Sequence, residues 1–105
     1  MTQETGFHDV RGIPIWVGDL IRVKHFKHRL RKQQMWLYFH VIALSGRFYV
    51  QQLYDYGTDK RQCLLADCGI ETAEILYGPS GRFPNGVLMM WNERKRVKRW
   101  MQLPE

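Results

Sequence analysis

Gly6-Phe7-His8-Asp9-Val10-Arg11-Gly12-Ile13-Pro14-Ile15-Trp16-Val17-Gly18-Asp19-Leu20-Ile21-Arg22-Val23 is the stretch that decides the fold class. It reads as a tight turn, a short apolar strand, a second turn at Gly18-Asp19, and then an alternating strand. Gly12 and Gly18 can each take the positive φ that strains a residue with a Cβ. Asp19 can accept bonds from backbone amides beside the turn and so lock the corner. Leu20, Ile21 and Val23 bring the apolar and β-branched bulk that suits a half-buried pleat. Gly12, Gly18 and Asp19 are therefore structural turn positions rather than catalytic ones.

Outward from this stretch the chain stays β-like. Val23 to Phe26 extends the first long strand, and Lys27-His28-Arg29-Leu30-Arg31-Lys32-Gln33 then breaks the pattern as a basic loop or a hairpin arm. Met35 to Leu44 is rich in aromatic and β-branched residues and ends at Ser45-Gly46, a two-residue link of hairpin type before the strand Arg47 to Leu53. Tyr54 to Lys60 reads as a loop, and Arg61 to Ala66 as a short strand. Ile70 to Tyr77 fits either period, with a strand favoured because Gly78-Pro79-Ser80-Gly81 follows. Residues 78–86 are a loop and Val87 to Trp91 a buried strand. Val97, Trp100 and Met101 fall on one helical stripe, so 93–101 reads as a helix that Asn92 could cap. A strand antiparallel to 87–91 is the competing reading. Residues 1–5 read as a disordered tail. The expectation is one mainly β domain over 1–105: a small SH3-like barrel or strongly twisted antiparallel sheet of five to seven strands, with a C-terminal helix added.

Thr5, Gly6, Asp9, Gly12, Ile15, the aromatic Trp16, Gly18, Asp19 and Ile21 together resemble the opening signature of YopX-type prophage proteins. Arg11, Pro14 and Val17 depart from that pattern, as does Trp16 in place of the usual tyrosine. The resemblance covers about twenty of the 105 residues. It implies a small β-rich protein of phage or mobile-element type and brings no catalytic residues with it.

Composition narrows the classes. With 45% hydrophobic and 13% aromatic residues the chain can bury a core and is far from disordered composition. The longest apolar run, Met35 to Leu44, is half the length that a membrane-spanning helix needs, about 20 residues, so no membrane association is expected. Residues 1–4 have neither the basic start nor the apolar core of a secretion signal, and two cysteines suit a reducing compartment, so a cytoplasmic setting is expected.

His25, His28, Cys63 and Cys68 are the one soft-metal set, but both histidines lie in a basic segment that repels a dication, and Cys63 reads as a core thiol. No metal or other cofactor is expected. His40 lies inside an apolar strand, Asp9 and Asp19 are explained as turn residues, and no phosphate-binding glycine motif is present, so no enzyme is expected.

The basic residues are more telling, in a chain of formal net charge +6. Arg22, Lys24, Lys27, Arg29, Arg31 and Lys32 form one cluster, and Arg94, Lys95, Arg96, Lys98 and Arg99 the other, together eleven of the sixteen Lys and Arg. Clustered cations suit a nucleic-acid backbone, and Phe26, Trp36 or Trp100 could stack on unpaired bases. The leading expectation is a non-enzymatic binding module for DNA or RNA. The alternative is a protein-interaction or assembly module whose exposed aromatics and Met89-Met90-Trp91 segment bind another protein or a second copy.

Overall fold

The computed structural model describes residues 3–54, 57–78 and 90–101, with the side chains of 57–61 left aside. The chain is mainly β. In order come β1 (Glu4–His8), β2 (Pro14–Trp16), β3 (Leu20–Lys27), β4 (Gln34–Leu44), β5 (Arg47–Tyr54), β6 (Gly57–Leu64), two 3-10 turns at Leu65–Asp67 and Ile70–Thr72, β7 (Glu74–Tyr77) and α1 (Trp91–Trp100). β1 and β2 form a two-stranded antiparallel ribbon, and the other five make an antiparallel sheet of order β6-β5-β4-β3-β7. β6 and β7 lie at opposite edges of that sheet, so among the described residues it is open and not closed into a barrel.

Period-2 alternation gives the sheet two apolar faces. Ile21, Val23, Phe39, Val41, Val50 and Ile75 point to one side and pack with Ile15 of β2 and with Leu65 and Ala73 beside the 3-10 turns. Leu20, Tyr38, Leu53 and Leu76 point to the other, where Val97 of α1 meets them. α1 has ten residues, fewer than the roughly 12–15 that an isolated helix needs in water. It is held by tertiary contact: Val97 is 1% exposed, and burying a side chain of that size contributes about 1.5–3 kcal/mol.

The corner at Gly18-Asp19 is built as its residue types demand. Gly18 has φ 95°, and its amide donates to Val41 O while the Val41 amide donates to Asp19 O, at 2.8 and 3.0 Å. The fully buried Asp19 carboxylate accepts the Trp16 amide at 2.8 Å. Gly12 also turns at positive φ. Ser45 and Gly46 have φ of 50° and 77°, the pair of values that a primed two-residue hairpin requires.

A second buried carboxylate, Asp9, ties the β1–β2 ribbon to β7. It accepts the amides of Arg11, Ile13 and Ile75 at 2.9, 3.0 and 3.2 Å, and the Arg11 guanidinium at 2.7 Å. Burial raises its pKa, but the bonds from Ile13, Arg11 and Ile75 outweigh that, and the carboxyl is held below its ordinary value.

Four expectations are corrected. Glu4 and Thr5 are not in a disordered tail: they begin β1, and the Thr5 hydroxyl donates to Ile15 O at 2.8 Å. The loop expected over 54–60 overlaps β6, whose polar residues from Gly57 become strand by pairing with β5. Its partner expectation, a strand over 61–66, ends early because Leu65 and Ala66 enter a 3-10 turn. Trp91 belongs to no strand; it opens α1, which Met90 caps in place of Asn92. The rest of the strand expected at 87–91, up to Met89, lies outside the described residues. Of the two readings for 70–77, the strand holds from Glu74 and a 3-10 turn precedes it.

Candidate nucleic-acid interface

The sheet positions two basic elements around one groove. Cross-strand register sets Arg22 opposite Tyr38 and Lys24 opposite Trp36, so these side chains share the face on which α1 packs. The Arg22 guanidinium lies 4.0 Å from the Trp36 ring centre. Its nitrogens donate to Glu93 at 2.8 Å and to Glu74 at 3.4 Å, and the Tyr38 hydroxyl donates to the same Glu93 oxygen at 2.6 Å. The other Glu93 oxygen accepts the Met90 amide at 3.2 Å and so caps α1. Burial pushes the Tyr38 phenol well up from its ordinary value, with the Glu93 bond and charge adding to the shift. This buried network floors a groove of about 410 Å³ between the β3–β4 hairpin and the start of α1. Gln33, Gln34 and Met35 form one wall, and Met90, Asn92 and Arg96 the other.

Lys24, Lys27, Arg29, Arg31 and Lys32, five cations on the hairpin, are exposed, as are Arg94, Lys95, Lys98 and Arg99, four cations on α1. None of them makes an ion pair among the described residues. The two elements touch where Gln33 Nε2 donates to Met90 Sδ at 3.2 Å. Among the described residues acids do not balance them on this side: Glu93 and Glu74 are committed to Arg22, and the exposed Asp67 and Glu71 belong to the 3-10 turns, whose apolar residues pack on the other face.

Three expected contact residues are drawn inward to different degrees. Arg22 is buried and paired, because desolvating its charge requires the two carboxylates. Arg96 is half-buried, 5.4 Å from the Tyr38 ring centre. Trp100 donates from Nε1 to Tyr54 O at 3.3 Å and packs on Tyr38, so it docks the helix instead of offering a stacking face. Among the described aromatics Trp91 is the most exposed, at 70%, with the Lys95 ammonium 4.9 Å from its ring centre, and Phe26 on the hairpin is exposed as well. The place of Trp91 at the first position of a charged helix, off the Val97-Trp100-Met101 stripe, was the signal in the sequence.

The remaining candidates are scattered. His25 and His28 are on the hairpin, whereas Cys63 lies on β6 and Cys68 after the first 3-10 turn, and no cluster of three metal-ligating side chains occurs among the described residues. Cys63 is exposed, not a core thiol. Burial pushes the Cys68 thiol to about 12, and the Sγ donates to Leu65 O at 3.1 Å. Burial holds the His40 imidazole below its ordinary value, partly opposed by a bond to the Gly18 backbone. No described helix is long and apolar enough to cross a membrane.

Comparison with protein-family models, with curated proteins and with solved structures finds no match to this chain. The functional reading therefore rests on the geometry and the sequence.

Proposed function

We propose that the protein is a non-enzymatic, cytoplasmic binding module of prophage type that engages a nucleic-acid backbone, largely without sequence preference. The observation that carries this reading is the placement of the exposed cations on two elements bordering one groove, while Glu74 and Glu93, the described acids beside it, are turned inward onto Arg22. Phosphate contacts need such unpaired, clustered charge. Trp91 takes the stacking role that Trp100 does not fill. In the same reading the β1–β2 ribbon, packed across one face of the sheet, stands as the second layer of an SH3-like arrangement, in keeping with the YopX-type resemblance of residues 5–21.

Fluorescence anisotropy with duplex and single-stranded probes between about 50 and 200 mM salt tests the reading. With about six phosphates neutralised, log affinity falls against log salt with a slope near −5 on duplex and −4 on single strands. Gln at Arg29, Arg31 and Lys32 together flattens the slope by about one unit per lost contact, equally for all sequences. Absence of binding at low salt to every probe refutes it.

A second reading, a protein-assembly surface, is favoured by the exposed Met90 and Trp91 on the same side. Met89, which that reading also invoked, lies outside the described residues. Association of this kind would weaken little with salt, which separates the two.

A further inference from the structure

The β3–β4 hairpin runs past the sheet that carries it. β3 pairs with β7 only over Leu20–Arg22, and β4 pairs with β5 only from Tyr38 onward. Beyond those points β3 and β4 pair, among the described residues, with each other alone, out to Phe26↔Met35 and Lys27↔Gln34, and Lys24 to Lys27 are all exposed. The end of this ribbon is built rather than slack. The His28 amide donates to Gln33 O at 2.7 Å and the Lys32 amide donates to His28 O at 2.8 Å. His28 Nδ1 accepts the amides of Leu30 and Arg31 at 3.3 and 3.2 Å. These bonds present Leu30 at the apex, 90% exposed, between the exposed Arg29 and Arg31.

We propose that this ribbon is a DNA-bending arm: it enters the minor groove of duplex DNA, and Leu30 wedges into a base step. The inference rests on the nucleic-acid reading above and narrows its ligand to a deformable duplex. A minor groove about 6 Å wide is walled by two phosphate backbones, so a tip with one cation on each side of an apolar side chain matches both walls and the floor. An apolar wedge of this kind unstacks a step and kinks the duplex, and the kink wraps more DNA onto the protein. Here the surface that receives the wrapped backbone is α1, with Arg94, Lys95, Lys98 and Arg99, joined to the ribbon through Gln33 and Met90. A lone leucine offers little apolar area for holding a bilayer, where stable association takes larger buried area or a second anchor, so duplex DNA is the better fit.

The test measures anisotropy over a series of salt concentrations, and energy transfer at the lowest of them, on one doubly end-labelled duplex, for the wild-type chain, Leu30→Ser and Leu30→Met. The wild type should bring the ends together by a bend of a few tens of degrees. Leu30→Ser should keep the melting temperature and the salt slope but lose most of the bend, and Leu30→Met should restore it. Binding by the wild type without a bend, or an equal bend by Leu30→Ser, overturns the arm and leaves the backbone-binding reading standing. No duplex binding at low salt overturns the arm, and no binding to single strands either overturns the backbone-binding reading as well. Leu30-dependent association with anionic phosphatidylserine vesicles, in the absence of duplex bending, also overturns the proposal and makes the tip a membrane contact.

Discussion

Replacing Glu93 by alanine should undo the contact that seats α1 on the sheet. The carboxylate is the acceptor for Arg22 at 2.8 Å and Tyr38 at 2.6 Å, and it caps Met90 at 3.2 Å. Side-chain exposure is 5% for Arg22 and 8% for Glu93, so water does not replace the lost partner freely. Removing one member of a buried pair costs about 3–5 kcal/mol, and an orphaned buried hydroxyl adds about 1–3 kcal/mol. Glu74 remains within 3.4 Å of Arg22 and offsets part of the lost charge, so the net loss is about 3–4 kcal/mol. For a chain of this size that lowers the melting temperature by roughly 15–25 °C. Glu93→Gln, which keeps the shape and loses the charge, should cost about half as much. The double variant Arg22→Met/Glu93→Leu should cost less than Glu93→Ala alone, because packed hydrophobic replacements for a buried ion pair are often near neutral. Urea unfolding of the four proteins measures each value. A loss under about 1 kcal/mol for Glu93→Ala, or a double variant that costs more than Glu93→Ala, would show that the network does not hold the helix as described.

Gly18→Ala should destabilise by about 1–3 kcal/mol, since its φ of 95° strains a Cβ; unchanged thermal melts would contradict the corner as described. Asp9→Asn should cost about 2–4 kcal/mol at neutral pH by stripping the charge from a carboxylate that accepts Arg11 and three amides. Because the folded carboxyl is held below its ordinary 3.8, its contribution is fully present above that value and is lost as pH falls through the lower folded one. The gap between wild type and Asp9→Asn in denaturant midpoints should therefore narrow below about pH 4, and a gap that stays constant down to acid unfolding would refute the assignment.

Signals that lie close together in the chain carried well into three dimensions. Gly18-Asp19 made a corner because a positive φ and a short acceptor are local requirements, and Ser45-Gly46 made a hairpin because its flanks alternate with period 2. The two basic clusters were equally plain. What the chain alone could not settle was which charges stay available, since that depends on pairs distant in sequence. Arg22 meets Glu93 across 71 positions, and the Ile75 amide reaches Asp9 across 66. Nothing in either neighbourhood marks those partners, so Arg22 looked like one more surface cation until burial required a carboxylate beside it. Trp100 likewise took its role from Tyr54 and Tyr38, and the polar start of β6 became strand because an unpaired edge of β5 lay beside it. The sequence by itself determined a β-rich chain with sharp corners and clustered cations. Only the tertiary structure decided which cations are neutralised inside, which aromatics are left outside, and that the basic hairpin and the basic helix border one groove.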